Sequence, residues 1–376
     1  MDKVIIIGPS SKFLSGITYY TINIANLLRK DKKIFIFEID QLLPKFLFPG
    51  SGRVGKIQTI STYKEEVSVS HIKMKYYSIP SIIKAAKSIN MLKPKVVIFQ
   101  WWSCTVAHIY YFLIKLISKE IKIIFEFHEI LDTSEASFFL LKIYTSLMMK
   151  LLLKEVTIFI THSVSDKKKV IKTYKIDESK IQVIPHLTTT TYSLISKNIA
   201  RKKFNLPMNS IVLVFFGLIR KYKGINILVK AFEQLKINSL KKPLLIIAGE
   251  IWDPLDKKTN KIINENRNII LINKYLSDEE VEYLISAADC FVLPYTRASQ
   301  SGVLSIIHNT GKPVILSDIK EFVEASKHYS NSIFFKRNDI IDLKSKIEKF
   351  TKNHNDFNIK PVNNNERVKE LYLSVM

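Results

Sequence analysis

The sequence predicts an α/β fold with two Rossmann-like, doubly wound parallel-sheet domains. Short β-branched runs alternate with segments of helical periodicity along the chain, which is typical of parallel strands joined by crossover helices. The 376 residues are enough for two hydrophobic cores. A polar, Thr-rich stretch near the middle separates two halves of similar pattern. We therefore expect two domains that face each other across a cleft.

Both halves carry strand and helix patterns in alternation. The predicted strands are Lys3–Ile7, Lys33–Glu38, Lys95–Gln100, Lys122–Phe127, Val156–Thr161, Gln182–Pro185, Ile211–Phe216, Leu244–Ala248, Ile269–Asn273, Cys290–Pro294 and Pro313–Leu316. Helices are predicted over Thr18–Arg29 and Ser134–Leu153, and another begins at a capping box formed by Ser277 and Glu280. The segment 41–64 is rich in Pro, Gly and Lys, so we interpret it as an exposed loop, either a lid or a surface anchor.

The domain boundaries follow from the same patterns. We expect an N-terminal domain over 1–190, a linker over 191–205, a C-terminal domain over 206–352 and a tail over 353–376. The linker is Thr-rich and then basic, and the tail helix is expected to pack back on the N-terminal domain.

The composition excludes several classes of protein. A hydrophobic content of 47% argues against disorder, and two cysteines are too few for a disulfide framework or a zinc site. The apolar run near the N-terminus is too short for a signal peptide, and no charge-free window is long enough to span a membrane. The net charge of +23 attracts nucleic acid, anionic lipid or phosphorylated substrates, although many lysines can equally be solvated surface residues.

Two segments predict an anion site. The run 215–224 (FFGLIRKYKG) follows a buried strand and places Arg220 and Lys223 ahead of an amphipathic helix. The run 299–302 (SQSG) puts small residues at the start of another helix. Guanidinium, ammonium and free backbone N–H groups all favour a diphosphate, which points to a nucleotide-linked substrate.

Further motifs occur in a characteristic order around these two segments. They are Gly8-Pro9-Ser10 through Ser15-Gly16 to Tyr20, Phe125–Glu129, Val183–His186, Ala287–Tyr295, Gln300–Val303 and Gly311–Ile315. With these motifs the chain resembles the retaining glycosyltransferases of the GT-B fold, in family four, over nearly its whole length.

The resemblance implies sugar transfer from a nucleoside-diphosphate donor, held mainly by the second domain, to an acceptor on the first. Arg220 and Lys223 would hold the diphosphate, and His128 would lie near the transferred sugar. The implied donor-binding residues are Gly16, Gly217, Ser299, Gln300, Ser301, Gly302 and Val303. Members of this fold generally need no metal at the diphosphate, so we expect neither a metal nor a cofactor.

The chain departs from the family pattern in three places. Where many members carry a Glu-x7-Glu pair, this sequence has Ser299 and Ile306 or Ile307, and Ser299, Gln300 and Ser305 are the candidate substitutes. The family's double Gly is Ser15-Gly16 here. Its His-Gly is His186-Leu187. We interpret these changes as a subfamily variant, with a weakened or inactive enzyme as the alternative.

The remaining candidates are weaker. Trp101 and Trp102 follow a strand on the expected acceptor side, where aromatic faces stack on sugars. His162 and His186 are interpreted as packing residues. An acidic cluster matches no metal template; it comprises Glu126, Glu129, Asp132 and Glu135. Cations mixed with apolar residues favour contact with an anionic membrane; they lie at 12–14 and 45–48 and at Lys73, Lys75, Lys84 and Lys87.

These observations predict an enzyme, an NDP-sugar-dependent hexosyltransferase. It would act on a cell-surface glycan or a lipid-linked acceptor, in the cytoplasm or peripherally on the inner face of the cell membrane. A catalytically inactive partner subunit is one alternative. A basic nucleic-acid-binding protein is the other, but the chain carries no nucleic-acid motif and we expect no such partner.

Overall fold

The protein is described from a computed structural model. The model describes residues 1–13, 15–41, 62–130, 139–187, 192–235, 243–298, 301–357 and 361–376, without the side chains of 139–142 and 355. The chain divides into unit 1, formed by Met1–Thr190 with Asn364–Met376, and unit 2, formed by Thr191–Asn363. The predicted loop over 41–64 lies almost wholly outside the described residues, and so do the apolar–basic run 45–48 and the first part of the helix predicted from Ser134.

Unit 1 contains a parallel sheet with the strand order β3-β2-β1-β5-β6-β7-β8, and β4 also pairs with β2. Its strands are β1 (Lys3–Pro9), β2 (Lys33–Gln41), β3 (Ser68–Val69), β4 (Met74–Lys75), β5 (Val96–Trp101), β6 (Lys122–Phe127), β7 (Ile158–Thr161) and β8 (Ile181–Val183). The central strands are buried on both faces, so their side chains alternate between two apolar clusters.

Helices cover both faces of this sheet. They are α1 (Gly16–Leu28), α2 (Ile79–Leu92), α3 (Ala107–Leu116), α4 (Phe139–Leu152) and α5 (Val164–Tyr174), with a C-terminal helix described below. Helix α3 packs between α2 and α4 on one face. Helix α1 begins at an N-cap, since the Ser15 side chain accepts a hydrogen bond from the Thr18 N–H.

Unit 2 contains a second parallel sheet with the order β11-β10-β9-β12-β13-β14. Its strands are β9 (Ile211–Phe216), β10 (Pro243–Ala248), β11 (Ile269–Ile272), β12 (Cys290–Leu293), β13 (Val314–Ser317) and β14 (Ser332–Phe335). Its helices are α6 (Lys197–Lys203), α7 (Ile225–Glu233), α8 (Lys257–Glu265), α9 (Asp278–Ala287), α10 (Gly302–Thr310), α11 (Lys320–Ala325) and α12 (Ile340–Asn353). The capping box predicted at Ser277 and Glu280 is present at the start of α9.

The stretch predicted as a linker contains ordered structure within unit 2. Helix α6 packs against α9, and it carries Arg201, which is 1% exposed. The guanidinium of Arg201 lies 2.6 Å from the Asp289 carboxylate, which also accepts a hydrogen bond from the Val212 N–H. In the sequence Arg201 is one residue of a basic run, and nothing local marks it as structural because its partner is 88 residues further along the chain.

The last helix, α13 (Asn365–Val375), belongs to unit 1. It packs against α1, and Tyr372 of α13 is fully buried beside Tyr20 of α1. The end of the chain therefore contributes to the core that surrounds the carboxyl ends of β5 and β6. No helix among the described residues has the length and apolar character needed to cross a membrane.

Candidate functional site

The loop after β9 is shaped by two glycines with positive φ. Gly217 (φ +108°) ends the strand, and Gly224 (φ +69°) precedes α7. A Cβ on Gly224 would lie 2.0 Å from the carbonyl oxygen of Pro294, so no other residue fits there without movement of the backbone. Between the two glycines, the Ile219 N–H donates to the carbonyl of Glu250 at 2.8 Å, which fixes the loop against the end of β10.

Lys223 is turned inward from this loop and is 8% exposed. A Cβ built on Gly217 would lie 3.3 Å from Lys223 Nζ and 3.1 Å from Val303 Cγ2. The ammonium group therefore lies beside Gly217, close to the first turn of α10. The ring centroid of Tyr295 is 5.4 Å from Nζ and gives it a cation–π contact.

No carboxylate pairs with Lys223 among the described residues of the chain. Burial, followed by repulsion from the guanidinium of Arg220, lowers the pKa of Lys223 to about 7. A buried cation without a counter-ion is costly unless an anion joins it. The site is therefore arranged for a negatively charged ligand.

Arg220 lies at the start of the short turn that carries Lys223, with its side chain one-third exposed. Its guanidinium lies over the ring of Trp252 at 5.7 Å, and its Nε is 3.6 Å from Asp253 Oδ2. That Nε is buried and has no hydrogen-bond partner in the part of the chain that the structure describes. Asp253 is engaged instead by the Lys221 N–H at 2.8 Å, so Arg220 retains donors for a ligand.

The first turn of α10 supplies backbone donors. Ser301 is the N-cap, and its hydroxyl accepts a hydrogen bond from the Leu304 N–H at 3.2 Å. The N–H groups of Gly302 and Val303 belong to the first turn and have no partner within the helix. Among the described residues, a Cβ on Gly302 would meet nothing within 4 Å. Ser299 and Gln300 lie outside the described residues.

Unit 2 thus brings together six of the predicted donor-site residues: Arg220, Lys223, Gly217, Ser301, Gly302 and Val303. The two isoleucines at the position of the missing Glu pack into the core, Ile307 completely and Ile306 partly. An apolar residue at either position therefore serves the packing of α10. Gly249 was not identified from the sequence; a Cβ on it would lie 2.1 Å from the carbonyl oxygen of Gly217.

In unit 1, His128 belongs to a buried polar cluster at the ends of β5 and β6. The His128 Nε2 is hydrogen-bonded to Gln100 Oε1, and the Gln100 amide donates to Glu126 Oε2 at 2.7 Å. The hydroxyls of Tyr20, at 2.9 Å, and Tyr372 both donate to Glu126 Oε1. Glu126 is fully buried, and burial raises its pKa to about 7 against the opposing effect of its three hydrogen-bond donors.

Two further histidines complete this cluster. The ring of Tyr20 contacts those of His128, His162 and His186, with centroid distances of 4.7, 5.3 and 4.5 Å. Burial lowers the pKa of His162 to about 4 and that of His186 to about 3, and it holds the pKa of His128 well below its usual value. All three rings are therefore neutral at physiological pH. The two histidines interpreted from the sequence as packing residues do pack here, around the candidate His128.

The cluster also places potential metal ligands together. Single ligand atoms of Glu126, His128 and His162 lie within 4.8 Å of one another. Both carboxylate oxygens of Glu126 accept hydrogen bonds, and the Nε2 of His128 is engaged by Gln100. Among the described residues His162 Nε2 has no hydrogen-bond partner, but it lies 3.4 Å from Glu126 Oε1. These groups therefore interact with one another within the protein, and we assign no metal to them.

The other predicted residues of unit 1 lie elsewhere. Gly16 is exposed at the start of α1, and a Cβ there would meet nothing within 4 Å. Trp101 is 2% exposed and packs on Phe125 on the opposite face of the sheet from Gln100. Trp102 is half-buried, and both tryptophans border a cavity of about 790 Å³ next to α4 and α5. The structure does not bring the tryptophans into the cluster of His128.

Comparison with known proteins shows which family the C-terminal part of the chain resembles. Residues 196–368 match the family model "Glycosyl transferases group 1". The capsular polysaccharide biosynthesis glycosyltransferase CapM of Staphylococcus aureus is 25% identical over 209 residues. That alignment covers 54% of this chain and 54% of CapM, so the chain matches about half the length of this curated relative.

Solved structures of similar fold cover nearly the whole chain. Sucrose-phosphate synthase from Thermosynechococcus elongatus has a TM-score of 0.70 at 14% identity, covering 99% of this chain and 95% of that one. Anabaena Alr3699/HepE in complex with UDP and glucose has a TM-score of 0.68 at 12% identity, covering 100% and 98%. These similarities confirm the predicted GT-B fold.

Proposed function

Because residues 196–368 match the family model "Glycosyl transferases group 1", we propose that this protein is a retaining glycosyltransferase. It transfers a hexose from a nucleoside-diphosphate-sugar to a cell-surface glycan or a lipid-linked acceptor. The observation that carries the proposal is the buried ammonium of Lys223, which lacks a carboxylate partner among the described residues and lies beside Gly217 near the first turn of α10. The relatives agree with it, since CapM is named for capsular polysaccharide biosynthesis and HepE was solved with UDP-glucose.

The chemistry assigned to this site is binding of the diphosphate and stabilisation of the charge on the leaving group. As the glycosidic bond breaks, the departing nucleoside diphosphate gains negative charge. Lys223, Arg220 and the N–H groups of α10 are the donors for that charge. Because these groups can neutralise the diphosphate, we propose that donor binding requires no metal.

The experiment is release of the nucleoside diphosphate from a panel of UDP-, GDP-, ADP- and CDP-sugars. Arg220→Ala should lower kcat by about 10²–10³-fold, the usual effect of removing one donor to a developing charge. Arg267→Ala is the matched control, because Arg267 is exposed at the amino end of β11. Equal turnover by Arg220→Ala and the wild type would contradict the site. Nucleotide binding without any turnover would favour the inactive partner subunit.

Retention is tested on the product. The anomeric configuration of the transferred sugar, read by NMR, should equal that of the donor. Inverted product would contradict the retaining mechanism while leaving the donor site intact.

We also propose that unit 1 docks on an anionic membrane through the layer of α2, α3 and α4. Each of these helices exposes an apolar pair one turn apart; the pairs are Ile79 and Ile83, Phe112 and Leu116, and Ile143 and Leu147. None of the three helices contains Asp or Glu, and they expose Lys84 and Lys87 on α2 and Lys150 on α4. Apolar side chains among cations fit the interface of an anionic bilayer.

This surface shares Lys84 and Lys87 with the one the sequence suggested but differs from it elsewhere. Phe13 is buried, and Lys73 pairs with the carboxylate of Glu38, so neither is free to contact lipid. Sedimentation with phosphatidylglycerol vesicles should fall at least tenfold in Ile143→Ser/Leu147→Ser. The control Ile341→Ser, at a 75% exposed residue of unit 2, should sediment as the wild type does. Equal sedimentation of all three proteins would contradict this face.

A further inference from the structure

The hydrogen bonds around Glu126 have a defined direction. A carboxylate can only accept hydrogen bonds, and Glu126 accepts from Tyr20 and Tyr372 at Oε1 and from Gln100 at Oε2. The Gln100 amide must therefore turn its NH₂ group toward Glu126. Gln100 is fully buried, so its carbonyl oxygen is left on the other side, facing His128.

The orientation of the Gln100 amide also determines which ring nitrogen of His128 carries the proton. The Gln100 carbonyl oxygen can only accept, so the Nε2 of His128 must carry the proton. A neutral imidazole has one N–H, which leaves Nδ1 of His128 unprotonated. The neutral form is favoured because burial and the neighbouring His162 and His186 hold the pKa of His128 low.

We propose that Glu126 and Gln100 are positioning residues that hold His128 as its Nε2–H tautomer, so that its Nδ1 accepts a hydrogen bond from a substrate hydroxyl. The choice of substrate rests on the proposed function, whereas the tautomer does not. Tyr20 and Tyr372 fix the orientation of Glu126, because both hydroxyls donate to the same carboxylate oxygen. The C-terminal helix α13 thereby contributes to the orientation of a residue 244 positions earlier in the sequence (Tyr372 to His128).

The titratable groups that face Glu126 come from four segments. They are Tyr20 on α1, Tyr372 on α13, His162 after β7 at 3.4 Å, and His128 through Gln100. The tautomer is best measured at pH 8.5, where Glu126 is ionised and the histidines are neutral.

The test is ¹⁵N NMR of the histidine ring nitrogens in the nucleotide-free protein, with the His128 signals assigned from His128→Asn. The wild type should show a protonated Nε2 and an unprotonated Nδ1. Glu126→Gln should reverse this pattern. The new carbonyl stays with the two tyrosine hydroxyls, and the new NH₂ turns toward Gln100. The Gln100 amide then flips and presents its own NH₂ to His128, which moves the proton to Nδ1.

Tyr372→Phe is the matched control, because it removes one hydroxyl from the same cluster but leaves Gln100 facing a carboxylate. It should keep the wild-type tautomer. An Nδ1–H tautomer in the wild type, or an unchanged tautomer in folded Glu126→Gln, would overturn the proposal. If Glu126→Gln does not fold, the proposal is tested by the wild-type spectrum and by Gln100→Leu. The Gln100→Leu variant should give a mixture of the two His128 tautomers.

Turnover provides a separate readout. With an active donor, Glu126→Gln should lower kcat at least tenfold with little change in KM, since the donor diphosphate binds in unit 2. If the wild type turns over no donor, the proposed function is contradicted. The NMR spectra still test the His128 tautomer independently.

Discussion

Two of the buried cations in unit 2, Arg201 and Lys223, lie in opposite surroundings. Arg201 is 1% exposed and lies 2.6 Å from the Asp289 carboxylate, and it also donates to the carbonyl of Met208. Lys223 is 8% exposed, and among the described residues its ammonium has a tyrosine ring and another cation nearby but no carboxylate. The first cation holds α6 onto the sheet. The second has no carboxylate partner among the described residues and can pair with an anionic ligand. The presence or absence of a carboxylate partner therefore distinguishes a structural cation from a binding cation.

The largest effect on stability is expected at the paired cation. Arg201→Met leaves the half-buried Asp289 with Lys197 as its remaining ionic partner, and breaking a buried pair costs up to about 3–5 kcal/mol. The free energy of unfolding in urea should fall by about that amount. Lys202→Met, at the exposed neighbouring residue, is the control and should change it little. Similar stability of the two variants would remove the distinction between the two cations.

The unpaired cation should behave in the opposite way. With a pKa of about 7 in the folded state and 10.5 in the unfolded state, Lys223 binds fewer protons when folded between pH 7 and 10.5. The unfolded state binds more protons there, so the contribution of Lys223 to stability rises with pH across this window. Lys223→Met should therefore be more stable than the wild type at pH 7, by up to about 4 kcal/mol.

That advantage should shrink as the pH approaches 10. The measurement is urea unfolding at a series of pH values, without nucleotide. A variant that is less stable than the wild type at pH 7 would mean that the ammonium has a partner within the protein.

Substitutions at Gly224 and Gly302 distinguish an effect on the conformation of the site from an effect on ligand binding. Gly224→Ala forces a side chain into an αL residue against the Pro294 carbonyl and should cost about 1–3 kcal/mol of stability. Gly302→Ala meets nothing within 4 Å among the described residues and should leave the melting temperature unchanged. Its methyl group projects in front of the first turn of α10, so it should weaken nucleotide binding. Unchanged binding in folded Gly302→Ala would place the ligand elsewhere.

Much of the fold was predictable because parallel strands and their helices repeat a strong local pattern. All eleven predicted strands are found to within two or three residues at each end. The three missed strands are β3, β4 and β14. The first two have only two residues each, too few for any periodicity. The predicted domain boundaries stay a prediction.

The candidate donor site could be predicted because its residues lie in two short segments with glycines at their turns. Arg220, Lys223 and Gly217 are within seven residues of one another, and spacing alone suggests that they meet. The cluster around His128 could not be predicted from the sequence in the same way. Tyr372 is 246 residues from Glu126, and nothing in the local sequence of α13 marks it as a partner. Only the packing of α13 on α1 brings the two together.

The central claim is that Lys223 binds the diphosphate of a nucleotide. Thermal unfolding with UDP, GDP, ADP and CDP tests this claim most directly. A ligand at 100 times its Kd stabilises by about 2.7 kcal/mol, which is easily measured as a shift in Tm. We predict a shift with one nucleotide in the wild type and in Lys221→Met, whose lysine is exposed on the same turn, and none in Lys223→Met. An equal shift in all three proteins, or none in the wild type, would contradict the account.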